Sequence, residues 1–284
     1  MVIGKALKEL CQRNKILIAA HRGTCGGNII YNTIPAFENA LRHQVDIIEI
    51  DAAMTTDGVF YCFHDGTEPL ILGTSRNIKT MSSSYVDQLY IRNPSLELTS
   101  ERVNRLEDAL EHLKGRCFIN VDRAWFYWKE IIALIKRMGM EEQIFLKSPP
   151  TNSYLELIGN MAPNLGYMPI IKTIEDADLI ARYKINYCMI ELIFSDITNP
   201  IVDDVFIKEL KNKGFLLWVN VITLNEHLIL SGGKDDRNAI MGDPDENWGW
   251  CIDKGFDVLQ TDWPLLLRNY LVRRESVARD MLTK

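Results

Sequence analysis

The run Val45-Asp46-Ile47-Ile48-Glu49-Ile50-Asp51 decides how the chain is read. Its four apolar residues, three of them isoleucine, describe a buried strand. Side chains two apart on a strand point the same way, so Glu49 and Asp51 face one point in space. Two carboxylates buried side by side are costly unless a cation neutralises them. Oxygen ligands suit Mg²⁺ or Ca²⁺ better than Zn²⁺. The other reading is an exposed strand end with two solvated carboxylates, and the flanking residues choose between the two.

Outward from this run, apolar segments alternate with amphipathic ones. The strands that precede helices fall at 16–20, 45–51, 117–122, 143–147, 165–171, 185–191, 215–221 and 256–261. Eight strand–helix units in 284 residues predict a (β/α)₈ TIM-type barrel, one domain over 1–284. A doubly wound open sheet is the competing architecture. No Gly-x-Gly-x-x-Gly follows the first strand, which removes its usual dinucleotide-binding form. An extra strand at 59–63 is expected beside the second. Residues 67–102 read as a small insertion after His64 without a clear core of their own, covering the mouth or making a homo-oligomer contact. Trp125, Trp128, Ile132 and Ile135 share a helix by spacing. Ser231–Asp236 reads as flexible, and Asp243-Pro244 as the start of a helix.

In such a barrel chemistry gathers at the C-terminal ends of the strands. There the sequence places His21, Arg22, Glu49, Asp51, His64, Asp122, Lys147, Glu191, Trp218, Asn220, Gln260 and Asp262. His21 and His64 each follow an apolar strand directly, and an imidazole pair can divide the work of general base and general acid. A structural, hydrogen-bonded role is the alternative for each. His43, His112 and His227 lack acidic company and read as structural. Arg22 offers a two-pronged fork for phosphate. Glu49, Asp51 and Asp122 converge from adjacent strands on one hard cation. Lys147, Glu191 and Trp218 are candidate substrate contacts. A wall of Trp125 and Trp128 would suit an apolar or quaternary-ammonium group, with plain packing the alternative.

A net charge of −6 argues against nucleic acid as a partner. No stretch has the roughly 18 apolar residues of a membrane span, so integral membrane association is not expected. Six scattered cysteines without a Cys-x-x-Cys pair suggest free thiols and a cytoplasmic setting, as does an N-terminus without a signal-peptide pattern.

The succession His21-Arg22-Gly23, Asn32-Thr33 before a helix, Glu49-Ile50-Asp51, Thr56-Asp57-Gly58 and His64-Asp65 resembles the glycerophosphodiester phosphodiesterase family. Weaker matches follow at Leu106-Glu107-Asp108-Ala109-Leu110, Trp218-Val219-Asn220 and Gln260-Thr261-Asp262-Trp263-Pro264. The resemblance implies a TIM-like barrel with an insertion after the second histidine. It implies hydrolysis of small-molecule glycerophosphodiesters to an alcohol and glycerol phosphate with one divalent cation, Mg²⁺ or Ca²⁺. It makes His21 and His64 the acid/base pair, Arg22 the phosphate ligand, and Glu49, Asp51 and Asp122 the metal ligands. The chain departs from the family pattern in four places. Tyr31 stands where the family has Glu, and Gln44 where a small residue is expected. Asp122 and Ala124 replace a Glu and a Lys; Arg123 has the wrong strand parity to stand in for that lysine, which leaves Lys147. An Asp as third ligand also resembles the sphingomyelinase D and bacterial phosphatidylinositol phospholipase C barrels. Those imply a lyase that releases a cyclic phosphate. A catalytically silent phosphodiester-binding barrel is the alternative from another class.

Overall fold

Runs of Ile, Leu, Val and Phe become eight parallel strands in the computed structural model, which describes residues 3–282. They are β1 (Leu17–Ala20), β2 (Ile47–Met54), β3 (Phe118–Asp122), β4 (Ile144–Ser148), β5 (Gly166–Ile171), β6 (Ile190–Leu192), β7 (Leu217–Asn220) and β8 (Val258–Thr261). Each is hydrogen-bonded to its sequence neighbour, and β1 pairs with both β2 and β8. The sheet therefore closes and leaves no barrel edge unpaired. The strand Phe60–Cys62 runs antiparallel beside β2, with Cys62 opposite Ala52.

Period-two alternation sorts each strand into an outer and an inner row. Ile18, Ala20, Ile48, Ile50, Ile119 and Val121 pack outward against the helices. Leu17, Ile47, Phe145, Met168, Trp218 and Val258 fill the barrel interior. The first helix, Ile3–Asn14, inserts Ile3 and Leu7 into that inner cluster, closing the N-terminal end. Burying two such side chains contributes roughly 1.5–3 kcal/mol each. A Cβ on Gly166 would lie 2.6 Å from Ile3 and 2.9 Å from Phe145, so glycine is required beneath the plug. The inner rows turn polar only toward the opposite, C-terminal end.

Several segments differ from the sequence reading. The sixth strand is shorter than 185–191. The Tyr187 amide is turned back to the Ile185 carbonyl at 2.9 Å, which takes a donor from the ladder. Trp125 is not on a helix with Trp128. Arg123 adopts a left-handed φ of 57°, Ala124–Tyr127 forms a 3₁₀ turn, and the α-helix begins at Trp128. Trp128 then packs edge-on to Tyr154 and Tyr167. The insertion does have a core: Ile78, Met81, Val86 and Ile91 pack onto Tyr61 and Phe63. It also carries a hairpin of Tyr90–Arg92 and Leu98–Arg102. Ser231–Asp236 is ordered by a bridge from Ser231 to Phe194 and leads into a helix, Asp236–Met241. After Asp243-Pro244 the chain first makes a π turn, Asp245–Gly249, and the α-helix starts only at Trp250.

Candidate active site

Register builds the site. β2 presents Glu49 and Asp51 inward, and β3 sets Asp122 directly across from Asp51. One carboxylate oxygen from each of Glu49, Asp51 and Asp122 lies within 4.8 Å of the other two. Among the described residues, these three could share one metal ion.

The two carboxylates of β2 are pushed in opposite directions. Burial, helped by Asp51 and Asp122, drives the Glu49 pKa well above the usual carboxylate range. Burial acts on Asp51 as well, but the Arg22 guanidinium overrides it and holds Asp51 below its ordinary value. Arg22 Nε is 2.7 Å from Asp51 Oδ2. The Arg22 backbone N–H donates to Glu49 Oε2 at 3.0 Å. That reach needs a left-handed φ of 57° at Arg22, followed by Gly23 at 82°. A Cβ at Gly23 would sit 2.8 Å from the Ala36 backbone, which explains the His-Arg-Gly order. Asn32, also left-handed, donates to Asp51 Oδ2 at 2.8 Å and accepts from the Asp51 N–H at 3.2 Å.

Lys147 on β4 lies 2.8 Å from Asp122 Oδ2 and 3.3 Å from Glu191 Oε2. Burial alone would strip its proton, but Asp122, Glu191 and Glu49 keep it charged. Asn220 donates to Glu191 Oε1 at 2.6 Å. Trp218, expected as a substrate contact, is fully buried in the inner cluster. Its indole N–H donates to Asn220 Oδ1 at 2.8 Å. It therefore orients the polar floor, and Glu191 is likewise engaged with Lys147 and Asn220.

Both expected histidines lie at this mouth, close enough to Asp51 for their charges to act on it. His21 Nδ1 is 2.8 Å from Asp262 Oδ1. His64 Nδ1 is 2.9 Å from the Asp65 carbonyl oxygen, an acceptor, so in the neutral ring Nδ1 carries the proton and Nε2 does not. Burial lowers the His64 pKa, although Asp51 opposes it. The Arg123 backbone N–H donates to Asp122 Oδ1, while its guanidinium donates to Asp65 Oδ1 from Nη2 at 2.6 Å. Lys79 of the insertion meets the other oxygen of Asp65 at 2.6 Å.

The residues fit a divalent cation. With all four ionised, Glu49, Asp51, Asp122 and Glu191 exceed Arg22 and Lys147 by two charges. Asn120 Oδ1, whose residue faces Glu49 across the register, is buried with no donor. Such an acceptor-rich, all-oxygen pit is the environment of a hard ion. Beside it opens a cavity of about 750 Å³ whose lining includes His21, Arg22, Tyr31, Trp263, Leu265 and Leu266.

Of the residues in contact here, Asn32, Asp65 and Asp262 were not assigned site roles from the sequence. Inward parity from Val258 and Gln260 was the available signal for Asp262, and the Asn32-Thr33 pair for Asn32.

Among curated proteins, a glycerophosphodiester phosphodiesterase from Caldanaerobacter subterraneus subsp. tengcongensis is 28% identical over 160 residues, covering 53% of this chain and 65% of that protein. A solved glycerophosphoryl diester phosphodiesterase from Parabacteroides distasonis matches with a TM-score of 0.71 at 20% identity, over 88% of this chain and 84% of that one. The chain is similar to glycerophosphodiester phosphodiesterases over part of its length and shares their fold. The alignment spans less than two thirds of the bacterial relative. A lysophospholipase D from Mus musculus is 35% identical over 66 residues, 23% of this chain and 20% of that protein. An Oleispira antarctica phosphodiesterase, solved with its product sn-glycerol-3-phosphate, has the same fold: TM-score 0.65, 14% identity, 89% and 95% coverage. A family model described as a domain of unknown function matches residues 167–271. That span begins after β4, so it leaves out both histidines and the three clustered carboxylates. Among the described residues no helix is long and apolar enough to cross a membrane.

Proposed function

We propose that the chain is a metal-dependent phosphodiesterase that splits a glycerophosphodiester into an alcohol and glycerol phosphate. The observation that carries this reading is the meeting of three carboxylates, one guanidinium and two imidazoles at one barrel mouth. Glu49, Asp51 and Asp122 would hold one Mg²⁺ or Ca²⁺, which when bound supplies positive charge to the phosphate oxygens. Arg22, anchored through Nε on Asp51, offers its remaining nitrogens to the same phosphate.

His64 acts first as base. Burial favours its neutral form, and its Nδ1–H is already donated to Asp65, so Nε2 is free to take the proton of the hydroxyl next to the ester. That oxygen attacks phosphorus and closes a cyclic phosphate. His21, its ring held by Asp262 at Nδ1, gives a proton to the departing alcohol. Water then opens the ring with the two histidines in reversed roles. A second reading ends at the cyclic phosphate, and the aspartate at position 122 is the feature that favours it.

The free cysteines, with Cys11, Cys62, Cys188 and Cys251 buried, support a reducing compartment such as the cytoplasm. The test is a panel of glycerophosphodiesters with and without chelator, with products followed by ³¹P NMR. Glycerol phosphate formed only with cation supports the hydrolase, and accumulating cyclic phosphate supports the lyase. Binding without turnover would replace both readings with a silent binding barrel.

A further inference from the structure

A buried carboxylate behind the His21–Asp262 pair has no part in the chemistry above. Asp236 opens the short helix after β7 and is 1% exposed. Its Oδ1 accepts from Trp248 Nε1 at 2.9 Å and from the Thr261 hydroxyl at 2.8 Å. Its Oδ2 lies 2.9 Å from that hydroxyl and accepts the Asp262 backbone N–H at 2.9 Å. Its own N–H donates to Val221 O at 2.6 Å, tying the group to the end of β7.

These contacts are more than a helix cap requires. Asp235 already caps this helix, accepting from the Asn238 N–H at 2.9 Å. A staple between two strand ends could be apolar or an amide. A carboxylate is the costly choice, because burial pushes Asp236 up to about 8. What distinguishes its position is the residue that follows β8. Thr261 points outward and Asp262 inward, and Asp262 Oδ1 meets His21 Nδ1 at 2.8 Å. Thr261 Oγ1 also accepts the Trp263 N–H at 2.9 Å, so the hydroxyl and the peptide N–H on either side of Asp262 are all fixed.

We propose that Asp236 is a positioning residue: by holding the Thr261 hydroxyl and the Asp262 N–H, it sets the direction in which Asp262 presents its carboxylate to His21. The catalytic half of this proposal rests on the role given to His21 above. The geometric half stands without it.

The test pairs kinetics with NMR on the whole chain. Asp236→Asn keeps the shape, but its amide nitrogen cannot accept and so opposes either the Trp248 indole N–H or the Asp262 N–H. It is expected to lower kcat by about tenfold or more, the size seen when a supporting hydrogen-bond partner is lost, and to leave KM within about twofold. In an Asp262→Asn background the same change should cost nothing further, because the carboxylate it aims is gone. The low-field His21 Nδ1–H proton signal, assigned by its loss in His21→Ala, should weaken in Asp236→Asn. If Asp236→Asn does not fold, Thr261→Val removes the hydroxyl alone and should weaken the same signal, while Thr261→Ser preserves it. A full, multiplicative loss in the Asp262→Asn background, or an unchanged Nδ1–H signal, would reduce Asp236 to a staple and overturn the proposal. If the wild-type chain cleaves no diester, the function assigned above fails, and the NMR comparison alone still decides the geometry.

Discussion

Lys147 and Asp122 form a 2.8 Å ion pair between neighbouring strands, so the third carboxylate of the acidic cluster is already partly neutralised by the chain's own cation. The same ammonium is 3.3 Å from Glu191, which is 1% exposed. Removing Lys147 therefore strands a buried carboxylate as well as freeing Asp122. Lys147→Met is expected to lower stability by about 3–5 kcal/mol. A urea titration of the variant checks this, and an unchanged midpoint would show that the pair carries little.

The acidic cluster predicts a cation effect that needs no substrate. A ligand present at a hundred times its Kd stabilises the folded state by about 2.7 kcal/mol. Mg²⁺ or Ca²⁺ should therefore raise the melting temperature of the wild-type chain, and EDTA should reverse the rise. Asp51→Asn should abolish it, because Asp51 is the cluster member that Arg22 keeps ionised. A rise of equal size in that variant would take Asp51 out of the cation site.

The two histidines should separate on leaving groups. A nitrophenyl diester expels its alcohol without a proton, so it bypasses a general acid but not a general base. His21→Ala is expected to lose about 100-fold or more on an alkyl diester and to recover most of its rate on the nitrophenyl one. His64→Ala should be slow on both. The opposite pattern would exchange the two roles.

Asp236 gives a pH dependence of definite sign. The folded chain keeps its proton to about pH 8, whereas the unfolded chain releases it near pH 4. The folded state binds more protons within that window, so this contribution is full at low pH and declines as pH rises through it. The slope is at most about 1.4 kcal/mol per pH unit. Asp236→Asn should flatten the stability profile between pH 5 and 8, as measured by urea midpoints. An unaltered profile would mean that Asp236 titrates alike in both states.

The cavity beside the histidines predicts a substrate effect. Trp263 is 54% exposed and lines it together with Tyr31 and Leu266. Trp263→Ala should raise KM for diesters of apolar alcohols by about tenfold, the scale of losing 1–3 kcal/mol of apolar contact. Diesters of small polar alcohols should be little affected. Equal changes for both would place the alcohol elsewhere.

The barrel was legible because its strands are short apolar runs that stop at charged residues, and because Glu49 and Asp51 share a parity that only a strand gives them. His21 and His64 were visible for the same reason. Partnership was harder to see. Asp262 is 241 positions from His21, and nothing local in either stretch names the other. The core of the insertion was hidden because Ile78, Met81, Val86 and Ile91 follow no single period and pack onto strand residues outside the segment. Asp236 sat within a polar, glycine-containing run, and only the fold reveals that its side chain is buried. Gln44, where a small residue was expected, takes a φ of 59°, the conformation that favours one.

The helix that seals the far end with Ile3 and Leu7 leaves the C-terminal mouth of the strands as the approach to the acidic cluster. Under the proposed hydrolysis two products leave through the mouth by which the next diester enters, so traffic there, and not only bond breaking, bears on how fast the cycle can repeat.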